Sequence, residues 1–322
     1  MPSRPRQRLA IALRSLGVVC ALAACSSSSS TRYRDADSGA SPDGASEDAG
    51  GAGRADARVD VEPREAESDA EPVIDAALDA PIEAPGAPAY PAAILGDGPL
   101  VYWRMGIKTG TRVLDETGGG NDLVLQGGGH VLGVTGAIVS DTDTAIRFDG
   151  TTSFAIATNS RVLDFTNAAA FTLECWAERA ANGGGYYQHL LSNLEGPANS
   201  REGYSLYLLP NPVSPDSARS AFEYDQRANE VGIFAALPAV STWAHFAAVF
   251  DGRTAAFYVD GTLSGTRMIT GSFGARTTPF TLARASSETA HRFAGALDEV
   301  AVYGAALTAA QIARHVALGQ QR

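Results

Sequence analysis

The stretch Trp243-Ala244-His245-Phe246-Ala247-Ala248-Val249-Phe250-Asp251-Gly252-Arg253-Thr254-Ala255-Ala256-Phe257-Tyr258-Val259-Asp260-Gly261-Thr262 decides the fold. Its two apolar, aromatic-rich runs, 244–250 and 254–259, are too short for helices that must bury a stripe, and they have the length of strands. Asp251-Gly252 separates them as a tight turn. Asp260-Gly261 follows Val259 at once, and a two-residue type I′ turn needs positive φ at both central positions, which Asp and Gly tolerate. Strands that reverse this tightly pair with their neighbours, so the stretch predicts an antiparallel sheet.

The same grammar extends in both directions. Short β-rich runs bounded by Gly, Asp and Asn occur at 100–105, 122–125, 144–148, 153–157, 170–178, 188–191, 204–209, 220–224, 231–235, 280–283 and 296–303. Turn signals at this spacing predict an all-β sandwich. One helix is predicted, over 309–318. Thr308 and Gln311 form a capping box, Ile312 and Val316 lie on one face, and Gly319 can end it.

Upstream of residue 88 the composition is different. Residues 31–87 carry 5 Arg against 15 Asp plus Glu, and they account for most of the net charge of −11. This Ala-, Asp-, Ser- and Pro-rich segment holds too little apolar surface to offset its ordering entropy, so residues 25–87 are predicted to be a disordered acidic spacer. The 88–322 segment keeps a charge of only −5 and shows no basic stripe, which argues against nucleic acid as a partner.

The first residues form a basic region through Arg14 and an apolar run over 16–24 that ends at Cys25. Nine apolar residues cannot span a bilayer as a helix, which takes ~20. Leu22-Ala23-Ala24-Cys25 resembles the lipobox of bacterial lipoproteins. The resemblance implies a signal peptide over 1–24, lipidation of Cys25, and membrane attachment in the cell envelope. Ser26 points, by the sorting rules of such proteins, to the outer membrane. Cys20 would leave with the signal and Cys25 would carry lipid, so Cys175 would stand alone without a disulfide partner.

A second resemblance covers residues 90–319. Tyr102-Trp103-Arg104, Asp115 with the turn at 118–122, Ile146-Arg147-Phe148-Asp149-Gly150, Phe171-Thr172-Leu173-Glu174-Cys175-Trp176, the opening stretch above, and Phe293-Ala294-Gly295-Ala296-Leu297-Asp298-Glu299-Val300-Ala301-Val302-Tyr303 occur in the order of the laminin G-like branch of the concanavalin A-like lectin/glucanase superfamily. The resemblance implies a jelly-roll sandwich of two antiparallel sheets with the first and last strands adjacent. Its members are mostly modules that bind glycans or proteins, some with calcium, while another branch contains β-glucanases. Fold alone does not choose among these.

For calcium the resemblance points first to Asp298, then to Asp115 and Asp149, as structural ligands; an aspartate that caps its own turn is the alternative for each. For a glycan or an extracellular protein, the ring faces available are Trp176, Tyr186, Tyr187, Tyr204, Tyr207 and Tyr224, although aromatic residues of a sandwich are commonly core.

No catalytic residue is assigned. Glu174-Cys175-Trp176-Ala177-Glu178 has the spacing of the glucanase strand but Trp176 where the central acid belongs. Carboxyls four strand positions apart are also far from the roughly 5–5.5 Å that retaining hydrolysis needs. Alternation sends Phe171, Leu173, Cys175 and Ala177 to the core and Glu174, Trp176 and Glu178 to the other face. His130, His189, His245, His291 and His315 show no close metal-binding spacing. The expectation is an outer-membrane-anchored, non-catalytic recognition or adhesion module. A divergent glycoside hydrolase and a structural envelope protein without ligand are the alternatives.

Overall fold

The computed structural model describes residues 89–321 except 198–199, 211–218, 227–228 and 273. The signal peptide, Cys25 and the spacer lie outside the described residues. The order is α1 (Ala89–Gly96), β1 (Val101–Trp103), β2 (Arg112–Val113), β3 (Leu123–Gln126), β4 (Val131–Thr135), β5 (Thr144–Asp149), β6 (Phe154–Ala157), a single 3-10 turn at Ser160–Leu163, β7 (Phe171–Arg179), β8 (Gln188–Glu195) and β9 (Glu202–Leu209). Then follow β10 (Arg219–Gln226), β11 (Asn229–Ala236), β12 (Trp243–Phe250), β13 (Thr254–Val259), β14 (Thr262–Met268), β15 (Thr281–Leu282), β16 (Ala294–Tyr303) and α2 (Ala309–Gln320).

These strands make two eight-stranded antiparallel sheets, a jelly-roll sandwich. Sheet A runs β14-β13-β12-β7-β16-β5-β4, with β1 on β16; sheet B runs β11-β10-β9-β8-β15-β6-β3-β2. The first and last strands are neighbours, Tyr102 opposite Ala301. The opening stretch is β12, β13 and the turn into β14. Phe246 faces Val259, Val259 faces Thr262, and Asp260 and Gly261 have φ of 49° and 75°, the positive pair that a type I′ turn demands.

The inward faces of the two sheets share one core. Phe171 and Leu173 of β7, Phe246 and Phe250 of β12, Tyr204 and Leu206 of β9, Phe222 of β10 and Val300 and Val302 of β16 all contribute to it. The Phe165 and Phe171 rings stack at 4.8 Å. Each such side chain contributes about 1.5–3 kcal/mol by leaving water.

A second apolar layer covers the outer face of sheet A. Tyr90 and Ile94 of α1 and Ile312 and Val316 of α2 pack with Tyr102, Trp176, Ala247, Val249, Ala301 and Tyr303. The α1 helix was not foreseen, because its sequence is apolar on every side and carries Pro91; proline is tolerated there because the first turn needs no amide donor. The capping box of α2 forms as expected, Thr308 accepting from the Gln311 amide. Gly319, however, does not end the helix. It is buried within it, and a Cβ there would meet Cζ2 of Trp176 at 2.5 Å, so glycine is needed for α2 to lie close to the sheet.

Strand β16 is bulged. Asp298 faces Trp176 and Ala301 faces Glu174, so one residue is in excess, and Glu299 takes φ 48°. The extra residue breaks the alternation and brings two consecutive acids into the layer outside sheet A.

Candidate functional site

The centre of the outer face of sheet A is covered. Glu174 has no exposure and is held from three sides: Tyr303 Oη donates to Oε1 at 2.8 Å, His315 Nδ1 lies 3.1 Å from Oε2, and His245 Nε2 lies 3.6 Å from the same oxygen. His315 reaches Asp97 through Nε2 at 2.8 Å. Burial alone would raise the Glu174 carboxyl, but the histidine hydrogen bonds and charges overcome it and bring it down to about 2. Burial opposes the charge on His315, and the two carboxylates outweigh it, so its pKa is raised.

Glu178 is tied to Arg147 at 2.7 Å. The two acids of the glucanase-like spacing are therefore spent on separate partners, and Glu174 is sealed from solvent. Trp176, expected as a ring face for ligand, is 2% exposed and donates from Nε1 to the Tyr90 hydroxyl at 2.9 Å. The alternation was right, but the face opposite the core is itself buried by helices.

The three aspartates named for calcium are not brought together. Asp115 accepts from the Thr117 amide and hydroxyl, from the Asn121 amide and side chain, and from the Tyr102 amide. Asp149 accepts from the amides of Thr151, Thr152 and Ser153 and from all three hydroxyls. Each organises its own turn, and the donors, working against partial burial, hold Asp149 far below the usual carboxylate range.

Asp298 accepts from the Ala137 and Glu299 amides at 2.7 and 3.1 Å. Its acidic neighbours are Glu299 and Asp143, while Glu299 binds the Tyr102 hydroxyl and Arg104. Burial and then the Glu299 charge raise Asp298 well above its ordinary value; burial and Asp143 raise Glu299 to about 8 although Arg104 and the Tyr102 hydroxyl pull it down. Among the described residues no three His, Cys, Asp or Glu side chains come together as a metal-binding group. Cys175 is a free thiol in the inter-sheet core, and burial pushes its pKa upward.

The rings that do gather are on the far side of sheet B. Tyr187 lies 5.0 Å from Tyr186, 5.5 Å from Tyr207 and 5.1 Å from His291. His189 lies 5.4 Å from Tyr207 and stacks on His291 at 5.9 Å. Tyr207 points outward because its neighbours Leu206 and Leu208 on β9 fill the core. Tyr186, 49% exposed, is the open member. Beside it a cavity of about 350 Å³ is lined by 180–186, Gln188 and Pro210. Gln188 holds its shape, donating to the Gly183 carbonyl and accepting from the Ala294 amide.

Tyr204 and Tyr224 fail as ligand rings. Both are core: Tyr204 donates its hydroxyl to the Leu163 carbonyl, and Tyr224 packs 5.0 Å from Phe250.

Sequence reasoning missed the ionic cluster next to these rings. Arg201 lies 3.4 Å from Glu223, 3.5 Å from Asp225 and 3.6 Å from Glu288, and Glu288 lies 3.2 Å from His291 Nδ1. It joins β10 to the loop over 284–292, and no local spacing announces it. Burial and the neighbouring His291 and Arg201 charges keep His189 well below its ordinary value, that is, neutral at pH 7.

A family model of the concanavalin A-like lectin/glucanases superfamily matches residues 148–313, just over half of the chain. Similar solved structures include the binding domain of paraclostridial mosquitocidal protein 1, with a TM-score of 0.53, 15% identity, and coverage of 69% of this chain and 52% of that one. The botulinum neurotoxin serotype G binding domain has a TM-score of 0.51 and 12% identity, covering 68% and 51%. The receptor binding domain of the botulinum neurotoxin C/D mosaic serotype has a TM-score of 0.51 and 10% identity, covering 70% and 52%. This chain thus spans about half the length of each, and identities this low carry the fold alone. No curated protein matches the chain. The match runs from the end of β5 to the middle of α2, across eleven of the strands that build both sheets, and so the chain belongs to the concanavalin A-like lectin/glucanase superfamily.

Proposed function

We propose that the chain is a non-catalytic binding module for carbohydrate, or for a glycan-bearing protein surface. The observation that carries this reading is the aromatic cluster of Tyr186, Tyr187, Tyr207, His189 and His291, which supports one open ring, Tyr186, at the rim of a cavity that also presents Asn182 and Gln188. A ring packed edge-on against its neighbour loses little conformational freedom when a sugar stacks on its free face. The similar solved structures are themselves described as binding domains, in keeping with this use of the fold. The glucanase alternative draws no support from Glu174, which is sealed beneath two helices.

The test is a glycan array probed with wild-type protein and Tyr186→Ala. Selective signals that Tyr186→Ala abolishes are expected; an empty array, or signals indifferent to Tyr186, would reject the reading.

The module's place in the cell envelope is part of the same proposal. The lipobox-like Leu22-Ala23-Ala24-Cys25 and the acidic spacer after it support lipid attachment to the outer membrane. Metabolic labelling with an alkyne fatty acid should mark the wild-type protein and not Cys25→Ser.

A further inference from the structure

The loop that follows β15 returns on itself. The Ala285 amide donates to His291 and the Phe293 amide to Ala283, so Arg284 and Arg292 stand directly opposite each other as a bridged pair. Two like charges in that relation are destabilising, and among the described residues no carboxylate pairs with either. Among the described residues Arg284 has no ion pair or side-chain hydrogen bond, and its Nε is buried without a partner. Arg292 makes one hydrogen bond, Nη1 to the Thr152 carbonyl at 3.1 Å.

Both guanidiniums are instead drawn to one ring. The Cζ of Arg284 sits 3.9 Å, and that of Arg292 4.9 Å, from the centroid of Phe154. Phe154 projects away from the core because Ala155 and Ala157 of β6 face into it. Burial, and then the charge of Arg292, push the Arg284 guanidinium below its ordinary value, as expected where the cation is inadequately compensated.

A cavity of about 410 Å³ opens beside Arg284, lined also by Ser286, Ser287, Glu288, Thr289 and Ala290. Among the described residues the Ser287 hydroxyl is buried without a hydrogen-bond partner. The one acid in this lining, Glu288, is already engaged by Arg201 and His291. The pair is also continuous with the aromatic cluster: His291 packs on Tyr187, and the Gly185 amide donates to the Arg292 carbonyl at 2.9 Å.

We propose that Arg284 and Arg292, stacked on Phe154, form a subsite for the acidic group of a polysaccharide, a uronate carboxylate or a sugar sulfate. Guanidinium donors match the oxygens of such groups and form short charge-assisted hydrogen bonds with them. An anion between the two would remove the cross-strand repulsion that the protein leaves standing. This inference rests on the glycan-binding reading above and adds to it the ligand's charge.

Affinity electrophoresis or calorimetry with three probes tests it: polygalacturonate, the same polymer fully methyl-esterified, and heparin. Wild type is expected to bind an acidic polymer about tenfold or more tightly than the neutral ester, the range in which a charge-assisted contact falls. Arg284→Gln and Arg292→Gln should each erase most of that preference while leaving binding to the ester in place. Tyr186→Ala should weaken both acidic and neutral binding. Preference for heparin over polygalacturonate, lost in the arginine variants, identifies sulfate as the group. Wild type that binds ester and acid alike, or a preference that survives in the double variant, overturns the subsite and leaves the glycan reading standing. Failure to bind any polymer, acidic or neutral, overturns both. Should Arg284→Gln fold poorly in a melt, Arg292→Gln decides the question alone, since its side chain makes one exposed hydrogen bond and the longer of the two contacts with Phe154.

Discussion

His315, on the last helix, stands 3.1 Å from the carboxylate of Glu174, on the strand at the centre of sheet A, with no solvent reaching either side chain. The pair fastens α2 to the sheet, and its other nitrogen fastens the residue that follows α1. Because the folded-state pKa of His315 is raised, its contribution is whole below its unfolded value near 6.5 and is lost as pH climbs through the folded value. Glu174, lowered to about 2, works in the opposite sense: its contribution is present above the unfolded value of about 4.5 and disappears as pH falls toward 2. Denaturant unfolding of His315→Gln against wild type should therefore show a larger deficit at pH 5.5 than at pH 9. A pH-independent deficit would mean that the histidine only fills space. Glu174→Gln, which strands buried partners, should cost about 3–5 kcal/mol at neutral pH.

Gly319→Ala separates packing from helix propensity. Alanine is better than glycine inside a helix by about 0.8–1 kcal/mol. The added methyl would lie 2.5 Å from the Trp176 ring, and overpacking costs about 1–3 kcal/mol. Net destabilisation in equilibrium unfolding is the expected sign; a stabilised variant would show that α2 can move away without loss.

The Asp298–Glu299 pair should make the protein more stable in mild acid than in base. Both carboxyls are raised in the folded state, so their contribution is whole below their unfolded values of about 3.8 and 4.5 and is lost as pH rises, Glu299 giving up its share by about pH 8. Glu299→Gln should then raise the melting temperature relative to wild type at pH 8 and not at pH 4. Calcium at Asp298 remains a proposal with a related signature, since a divalent cation would neutralise the same acids. Its check is a melt of chelator-treated protein at pH 8 with calcium or magnesium; curves that coincide with and without calcium would dismiss the ion.

Two tyrosines should divide stability from recognition. Tyr186→Ala removes a half-exposed ring and should change unfolding free energy by no more than about 0.5 kcal/mol while abolishing glycan signals. Tyr204→Phe deletes a buried hydroxyl that donates to the Leu163 carbonyl, and should cost about 1–3 kcal/mol without touching binding. The reverse pattern would move the site off the sheet B side.

The sandwich was legible because strand and turn signals are local. Asp260-Gly261 demands its turn whatever surrounds it, and Thr308 with Gln311 caps α2 using its own first turn. What sequence alone could not show was which outward face is covered. On β7 the alternation correctly separated Cys175 from Trp176, yet nothing in the strand says that two helices lie over Trp176, so it was counted among exposed rings. Tyr204 and Tyr207, three positions apart on β9, fall on opposite faces by alternation, but only the packed sheets show which of those faces is the core. The aspartates were ambiguous for another reason. Asp149 before Gly-Thr-Thr-Ser reads equally as a cation ligand or a turn cap, and only the six donors around it decide. Nothing local marks Arg284 and Arg292, because their shared ring, Phe154, lies 130 and 138 residues before them.

The docking of α1 also fixes where load enters the domain. Tyr90 and Ile94 pin this helix to the outside of sheet A, and Asp97 is latched to His315. Chain arriving at Ala89 therefore joins the sandwich at its back, with the Tyr186 rings and the paired arginines on the opposite wall. Tension between a ligand held there and whatever precedes Ala89 would cross both layers, and would bear first on the grip between α1, Trp176 and α2. The force that opens this grip should fall when Tyr90 loses its ring or His315 its proton.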